Sequence, residues 1–381
     1  MKLEDLRNKI DAVDDQIVKL YAQRMAIAKE VAECKKAEGI DIGNILREKS
    51  ILNRVASQVP DEIKLYTKQV FNTLFETSRA YQNTLIDLPS NLKKSIIDAL
   101  KEGSKPFPLQ ATVACQGVDG AYSNIAAEKV FPISNIMFFK DFDGVFNAVD
   151  KGLCEFGVLP IDNSVVGSVS AVYDLMRKHR FYIVRSVKLK IKHSLMAKKG
   201  VKLSDIKEIM SHEQAIGQCS NFIKSLNKDV VITMCSNTAA AAKIVSESDR
   251  NDLACISSPE CADIYNLSPL KAGIQNSDNN YTRFIVIGKK MEIYEDSDKI
   301  SIMVNLPNEV GSLNKILNKF YTLGLNLTKL ESRPIMEANF EYSFYFDFDA
   351  KIEKKEVQNL LSELETTTTH FVFLGCYHEV Q

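Results

Sequence analysis

The sequence is poor in the features that mark membrane, nucleic-acid and cofactor-binding proteins. No apolar run approaches the roughly 18 residues that cross a bilayer, and the acidic start, MKLED, is unlike a signal peptide. The formal net charge is -1, so no large basic surface is indicated. The chain has no G-x-G-x-x-G and no Walker loop, the motifs of dinucleotide and ATP chemistry. We therefore expect a cytoplasmic protein that binds neither a membrane nor a nucleic acid.

Paired cysteines are also missing. The eight cysteines form no C-x-x-C pair, and no histidine lies at metal-ligand spacing. Most lie in apolar contexts, which predicts reduced thiols in a core. We expect no metal and no organic cofactor. The cysteines are Cys34, Cys115, Cys154, Cys219, Cys235, Cys255, Cys261 and Cys376.

What the sequence does contain is three segments of different periodicity, which predict a multidomain protein. Residues 1–90 are helical by pattern, and residues 91–110 form a linker that ends in KEGSKPFPLQ. In residues 111–290 apolar strands alternate with helices, which is typical of an α/β domain. Residues 299–381 follow the order strand, helix, strand, strand, helix, strand, which predicts a ferredoxin-like βαββαβ domain.

The predicted helices carry polar side chains on their apolar stripes. Arg24 interrupts the heptad stripe of the first helix, and Glu48 interrupts that of the second. Ser78 and Gln82 do so on the last helix, at i and i+4. A buried guanidinium needs an anionic partner. One interpretation is an internal ion pair such as Arg24 with Glu48. The other is a polar cavity for a small polyanion.

Arg7 sets a geometric condition on any such cavity. It precedes Lys35 by 28 residues, which is about 42 Å along a straight helix. The two side chains of one chain therefore cannot bind the same small ligand. Arg7 is either a solvated charge at a helix end or part of a site that contains Lys35 of another copy.

The segments LRNKIDAVDDQIVKLYAQR, KK, ILREKSIL and ETSRAYQ make residues 1–90 resemble the all-helical chorismate mutases. The resemblance implies carboxylate clamps, contacts to the ether oxygen and contacts to the hydroxyl of the substrate. The clamps would be Arg7 from the partner chain, Arg24 and Arg47; the ether contacts Lys35 and Gln82; and the remaining contacts Glu48 and Ser78. Asn44 stands where the family usually has Asp.

Five polar stretches follow the predicted strands of the α/β segment: GAYSN, PIDNSVVGSV, SHEQAIGQC, CSNTAAAA and NYTRF. Strand ends and helix N-termini converge on ligands in α/β sheets, so together they predict a cleft. Ser123, Ser211 and Thr238 each precede a helical run, where a hydroxyl would also serve as an ordinary N-cap. TRFIVIG is expected to return the chain to a first lobe, with Thr282 near the hinge.

PIDNS, SH, NTAAA and NYTRF make residues 111–290 resemble prephenate dehydratase. The resemblance implies a two-lobed fold like that of periplasmic binding proteins. It implies that Thr282 is the catalytic hydroxyl and Arg283 a carboxylate-binding or positioning group. Asp162 stands where the family usually has Glu, and Val118 where it has Pro. The cleft would be lined by Asn163, Ser164, Ser211, His212, Ser236 and Thr238.

NEVGSLNKIL and LESRP make the last segment resemble an ACT regulatory domain of the phenylalanine-responsive kind. A glycine at a helix N-terminus lets backbone N–H groups meet a carboxylate. The resemblance implies L-phenylalanine as effector at an interface between two copies, and hence a homodimer or a larger homo-oligomer. The effector residues would be Gly311, Ser312, Leu313, Glu331, Ser332 and Arg333.

The three resemblances, in this order, predict a bifunctional enzyme. It would rearrange chorismate to prephenate and convert prephenate to phenylpyruvate, with feedback inhibition by L-phenylalanine. One alternative is a dehydratase whose helical domain only dimerises. A second is a two-lobed amino-acid sensor without catalysis, which would have no need of the hydroxyl of Thr282.

Overall fold

The computed structural model describes residues 2–38, 43–85, 90–101, 105–226, 230–335 and 342–381. The chain divides into two compact units. The first comprises Met1–Asp98 with Ile302–Val372, and the second comprises Ala99–Ser301 with Phe373–Gln381. The sequence-predicted linker, residues 91–110, contains a helix, and its residues 102–104 lie outside the described ranges.

The N-terminal segment is helical. The first helix has 36 residues and contains neither Gly nor Pro, so nothing in its sequence interrupts it. The second helix begins after Asn44, whose side chain accepts a hydrogen bond from the Arg47 N–H at 2.9 Å. The helices are α1 (Leu3–Glu38), α2 (Ile45–Ala56), α3 (Lys64–Leu85) and α4 (Asn91–Lys101).

The first lobe of the second unit is built on a mixed sheet. Its elements in chain order are β1 (Gln110–Gln116), α5 (Tyr122–Val130), β2 (Ile133–Phe139), α6 (Phe142–Asp150), β3 (Phe156–Asn163), β4 (Gly167–Ser168), α7 (Ser170–His179) and β5 (Tyr182–Lys190). Strands β1, β2 and β3 are parallel, as expected for strands joined by helices.

The chain then enters a second lobe with its own five-stranded sheet. Its elements are β6 (Ser194–Lys198), β7 (Glu208–Ser211), α8 (Glu213–Gln218), α9 (Ser220–Ser225), β8 (Val231–Met234), α10 (Thr238–Glu247), β9 (Leu253–Ser257), α11 (Cys261–Ile264) and β10 (Leu267–Ala272). The strand order is β10-β6-β9-β7-β8. Strand β11 (Tyr281–Gly288) returns the chain to the first sheet, between β5 and β3.

The last segment has the order β12 (Lys299–Leu306), α12 (Ser312–Thr322), β13 (Asn326–Pro334), β14 (Tyr342–Asp349), α13 (Lys355–Thr367) and β15 (His370–Tyr377). Its four-stranded sheet has the order β13-β14-β12-β15, which is the ferredoxin-like arrangement. A two-residue strand, β16 (Glu379–Val380), follows and joins the first sheet at the edge beside β5.

The two faces of the first sheet are covered by different helices. Phe284 and Val187 pack with Ala126 of α5 in one buried cluster. On the other face Gly157 leaves room for Val145 of α6. A Cβ at position 157 would lie 2.7 Å from Cγ1 of Val145, which is too close. We call these the α5 face and the α6 face. Because side chains alternate along a strand, neighbouring residues of β11 belong to opposite faces.

Within the first unit, α3 packs against α12 and α13. Asn83 Nδ2 donates a hydrogen bond to Glu363 Oε2 at 2.7 Å. The buried Lys93 ammonium of α4 donates to Asn359 Oδ1 at 2.8 Å. None of the described helices is long and apolar enough to cross a bilayer.

The cysteine prediction holds for most positions but not for all. Six cysteines are buried, Cys235 is half-buried and Cys34 is exposed on α1. All eight are free thiols. Burial raises the pKa of Cys219 to about 12, so this thiol is protonated and unreactive at neutral pH.

Candidate active sites

Thr282 lies at the edge of the first sheet where several strand ends meet. Strands β1 and β3 are parallel, so their C-terminal ends, Gln116 and Asn163, share one edge. Strand β11 is antiparallel to β3 and begins at that edge, with Thr282 directly opposite Asn163. Such edges position side chains for ligands, because the polar ends of the strands are free of the core.

The Thr282 hydroxyl is held by an amide. The residue is 9% exposed, and its hydroxyl oxygen accepts a hydrogen bond from Asn163 Nδ2 at 2.9 Å. Asn163 Oδ1 in turn accepts from the backbone N–H groups of Val165 and Val166. These bonds fix which end of the amide faces Thr282. The accepted bond uses a lone pair of the hydroxyl oxygen, so its O–H proton remains for donation.

Two neighbours of this pair have different roles. Ser164 fastens the loop to β11, because its hydroxyl accepts from Tyr281 N at 2.9 Å and donates to Asn279 O at 3.0 Å. Asn280, which is 1% exposed, accepts from Asn163 Nδ2 at 2.8 Å. Sequence reasoning missed Asn280. Its signal is an amide two residues before the threonine, within the polar stretch NYTRF.

Arg283 belongs to the face opposite Thr282. Its Nη2 atom lies 3.3 Å from Asp162 Oδ2, and both residues are on the α6 face. Asp162 Oδ1 also accepts hydrogen bonds from Ser168 Oγ and from Tyr173 OH of α7. The structure therefore separates the side chains of Thr282 and Arg283 onto opposite faces of the sheet. The geometry favours the positioning role of Arg283 over direct carboxylate binding.

The predicted residues of the second lobe lie at the C-terminal ends of β7 and β8. Ser211 is fully buried and donates to Ile256 O at 2.6 Å, so its hydroxyl is bound inside the lobe. His212 caps α8, and Asn237 caps α10. The N-cap prediction for Ser123, Ser211 and Thr238 is therefore wrong. The imidazole of His212 and the amide of Asn237 accept the N–H groups of α8 and α10, and α5 begins after Ala121, which has no side-chain cap. Ser236 is exposed, and Thr238 is half-buried.

The two lobes approach each other beside these caps. A Cβ on Gly117, which follows β1, would lie 3.5 Å from Asn237 Nδ2. Ser258, after β9, donates to Gly120 O at 3.3 Å. Strands β7, β8 and β9 are parallel, so their C-terminal ends share one edge of the second sheet. The bond from Ser258 to Gly120 places that edge beside the loop that follows β1. Gly117 and Asn237 thus bring strand ends of the two lobes together, and Thr282 lies at the same edge of the first sheet as the end of β1.

His193 lies between β5 and β6, where the chain crosses from one lobe to the other. Its Nε2 is 2.8 Å from Gln218 Oε1, whereas Nδ1 has no hydrogen-bond partner within the described parts of the chain. Burial lowers the pKa of His193, although the bond to Gln218 acts in the opposite direction. The ring is therefore neutral at pH 7.

The helical domain places Arg24 against α3. Arg24 Nη1 donates to Leu74 O at 3.0 Å and also to the hydroxyl of Ser78. Burial lowers the pKa of Arg24, but a guanidinium remains charged at neutral pH. Gln82, one turn after Ser78, is 8% exposed. Its Oε1 is buried without a hydrogen-bond partner in the described residues.

Glu48 forms its ion pair with Arg79, which also lies 2.6 Å from Glu76. The pair considered from the sequence, Arg24 with Glu48, is replaced because Arg79 of α3 reaches the same carboxylate. Burial opposes the charge of Arg79, but the carboxylates of Glu76 and Glu48 outweigh it and raise its pKa. Sequence reasoning missed Arg79, although it lies between Ser78 and Gln82.

The other residues predicted for the mutase site lie at separate places on α1 and α2. Lys35 is half-buried near the end of α1, whereas Arg7 is exposed near its beginning. Arg47 is exposed in the first turn of α2, and Asn44 is its N-cap. Aspartate and asparagine both cap helices well, so the observed role of Asn44 is met by either residue.

The predicted effector residues lie at two places in the βαββαβ domain. Gly311, with φ of +86°, precedes α12, which begins with Ser312 and Leu313. Glu331, Ser332 and Arg333 are near the end of β13, an edge strand. The side chains of Lys329 and Arg333 lie 3.0 and 3.5 Å from Glu331.

Comparison with known proteins finds two family models in the chain. Residues 113–292 match the family model of prephenate dehydratase, and residues 6–83 match chorismate mutase type II. Arogenate dehydratase 2 of Petunia hybrida is 35% identical over 338 residues, which cover 84% of this chain and 85% of the relative. Arogenate dehydratase/prephenate dehydratase 2, chloroplastic, of Arabidopsis thaliana is 36% identical over 302 residues, which cover 76% and 77%.

A solved structure supports the same assignment. The prephenate dehydratase from Arthrobacter aurescens in complex with L-Phe is 29% identical. The match covers 70% of this chain and 90% of that chain with a TM-score of 0.64. The chain belongs to the prephenate dehydratase family and carries a type II chorismate mutase domain ahead of its dehydratase domain.

Proposed function

We propose that the two domains catalyse consecutive steps, chorismate to prephenate in the helical domain and prephenate to phenylpyruvate in the two-lobed domain. Release of the first product supplies the substrate of the second reaction. The observation that carries the proposal is the Thr282 hydroxyl, which is positioned by Asn163 at the sheet edge that faces the cleft.

The mutase reaction is a rearrangement that needs no nucleophile and no proton transfer. It requires a folded substrate conformer and stabilisation of the charge that develops on the ether oxygen. Arg24 and Arg47 bind carboxylates of chorismate, and Lys35 and Gln82 face the ether oxygen. Support comes from Arg24, Ser78 and Gln82, which lie on the facing helices α1 and α3.

The dehydratase reaction removes carbon dioxide and water from prephenate as the ring becomes aromatic. The C–C bond to the ring carboxylate breaks, and its electron pair enters the ring. The C–O bond of the 4-hydroxyl breaks, and the leaving hydroxide needs a proton or a strong hydrogen bond. Thr282 donates that bond, which contributes about 10²–10⁴-fold if it acts as a general acid.

The test is a time course with chorismate alone, in which prephenate and phenylpyruvate are measured together. The wild-type chain should accumulate phenylpyruvate. Thr282→Ala should stop at prephenate while the mutase rate is retained, and Thr282→Ser should recover part of the turnover. If chorismate is untouched but added prephenate is converted, the helical domain is only a dimerisation module. If neither is consumed, the proposal fails and the sensor interpretation becomes the one to test.

A second substrate is favoured by the relatives, because those from Petunia hybrida and Arabidopsis thaliana are named arogenate dehydratases. Arogenate carries an amino group where prephenate has a keto group, and it loses the same two groups. We therefore propose to compare kcat/KM for the two compounds. A higher value for arogenate would mean that prephenate must first receive an amino group from another enzyme before the second reaction.

The βαββαβ domain is proposed to be an ACT domain that binds L-phenylalanine, with Gly311, Ser312 and Leu313 at its helix start and Glu331, Ser332 and Arg333 near the edge. Support comes from the positive φ of Gly311 and from the L-Phe complex of the Arthrobacter aurescens relative. Dehydratase turnover should fall when L-phenylalanine is added, and Gly311→Val should weaken that response.

A homodimer or larger homo-oligomer is proposed from the apolar stripe of α1. Leu3, Ile10, Ile17 and Leu20 are each more than half exposed in the single chain, although they form a heptad stripe that normally packs on another helix. Arg7 lies on the same exposed helix. Measurement of the molecular mass in solution tests this.

A cytoplasmic location stays a prediction of the sequence, and the Arabidopsis relative is named chloroplastic.

A further inference from the structure

Four charged residues form a row across the α6 face of the first sheet, behind Thr282. Asp162 of β3, Arg283 of β11, Lys188 of β5 and Glu379 of β16 come from four strands that are adjacent in the sheet. Arg283 is directly opposite both Asp162 and Lys188, and Glu379 is opposite Ser186, two residues from Lys188. The two cations are in the middle of the row and the two carboxylates are at its ends, so each cation lies beside one carboxylate.

Glu379 is the last member of this row. Its Oε1 lies 2.8 Å from Lys188 Nζ, and its Oε2 lies 3.8 Å from Arg283 Nη1. Ser186 Oγ donates to the same Oε2 at 3.3 Å. The side chains of Glu379 and Arg283 are both 12% exposed. An ion pair at this depth is less screened by salt than a surface pair, so we expect its loss to weaken the hold on Arg283 measurably.

The segment that carries Glu379 is anchored to β5 by its backbone. Ser186 N donates to His378 O at 3.1 Å. Gly375, with φ of +148°, lies so close to β5 that a Cβ there would be 2.1 Å from Ile183 O. No other residue fits this approach without moving the backbone. The end of the chain is therefore built into the dehydratase sheet.

We propose that Glu379 is a positioning residue for the dehydratase, because it holds Arg283 from one side while Asp162 holds it from the other. Arg283 directly follows Thr282 on β11, so the two carboxylates fix the strand that presents the hydroxyl. Glu379 itself lies on the face away from Thr282 and touches no reacting atom. This inference rests on the proposed role of Thr282.

The test is steady-state kinetics of Glu379→Gln in the chain of 381 residues with prephenate. We expect kcat to fall by roughly three- to tenfold with KM unchanged, and the mutase rate on chorismate to be retained. Glu379→Asp, which keeps the charge, should recover part of kcat. Glu295→Gln removes an exposed carboxylate of the same unit and serves as the matched control.

A double-mutant cycle sharpens the result. Glu379→Gln should change kcat little in an Arg283→Met background, because the interaction is already absent there. Equal kcat in Glu379→Gln and Glu295→Gln would overturn the inference, as would a parallel loss of both activities. An unaffected Glu379→Gln beside an inactive Thr282→Ala overturns this inference alone. An active Thr282→Ala overturns the proposed site.

Discussion

At the residue scale, the proposed dehydratase site contains one amide that both accepts and donates hydrogen bonds. Asn163 accepts two backbone N–H groups through its oxygen and donates to Thr282 through its nitrogen. An aspartate has nearly the same shape but no donor at physiological pH. The side chain beside Thr282 is thus selected by its hydrogen-bond polarity and not only by its size.

Asn163→Asp is expected to lower dehydratase kcat by about tenfold or more, since one catalytic-site hydrogen bond typically contributes that much. The carboxylate would accept a hydrogen bond from the Thr282 O–H, which would then no longer be available to donate to the substrate. The measurement is the rate of phenylpyruvate formation at saturating prephenate. Val165→Ala, at an exposed position of the same turn, is the control. A kcat equal to that of the control would contradict the assigned hydroxyl orientation.

His193 predicts a dependence of stability on pH. Its folded pKa is lowered from 6.5, so the unfolded chain binds a proton at a higher pH than the folded chain does. This contribution to the free energy of unfolding is complete above pH 6.5 and is lost as the pH falls through the folded pKa. Thermal midpoints at pH 7.5 and 5.5 should differ less for His193→Asn than for wild type. Equal differences would contradict the prediction.

At the element scale, the length of α1 decides how many copies build a mutase site. The helix has 36 residues, so it spans about 54 Å, and Arg7 is far from Lys35 along the axis. An exposed heptad stripe runs along its N-terminal half. An antiparallel partner helix would bury that stripe and bring Arg7 of one copy to Lys35 of the other.

Mixing two inactive variants tests this arrangement. Arg7→Ala and Lys35→Ala should each lose most mutase activity, by about a hundredfold for the ether-oxygen donor. After denaturation and refolding together, heterodimers contain one intact site of two, so the mixture should recover about a quarter of wild-type activity. No recovery on mixing would exclude Arg7 from the site that contains Lys35. Lys36→Ala, at the exposed neighbouring position, controls for charge.

At the scale of the whole molecule, the helical domain and the βαββαβ domain form one unit. The contacts join α3 and α4 to α13 and include buried polar groups such as Lys93, Asn83 and Asn359. Neither the periodicity of the helices nor the resemblance to two families predicts them. Each polar group must keep its partner, because an unmatched buried donor or acceptor is costly.

Asn359→Ala removes an acceptor of the buried Lys93 ammonium and the donor to Asn83 O. We expect the free energy of unfolding to fall by about 1–3 kcal/mol. The measurement is the unfolding transition in urea, followed by the helical signal of circular dichroism. Asn314→Ala on α12, where the side chain is exposed, should change it by less than about 0.5 kcal/mol. Equal effects of the two substitutions would contradict a coupled unit.

The sequence by itself determined the local structure and the chemistry it carries. The heptad stripe predicts α1, the apolar run after Thr282 predicts β11, and the polar interruptions mark Arg24, Ser78 and Gln82. These features follow from periods of 3.6 and 2 residues, which are visible within a short window.

Only the tertiary structure decided the long-range pairings. Asn83 and Glu363 are 280 residues apart. Arg283 and Glu379 belong to β11 and β16, which are separated in the sheet by β5. The face on which Arg283 lies depends on strand register, and a shift of one residue would reverse it. A period within one element carries no information about which distant element will supply its partner, because that choice depends on the packing of the whole chain.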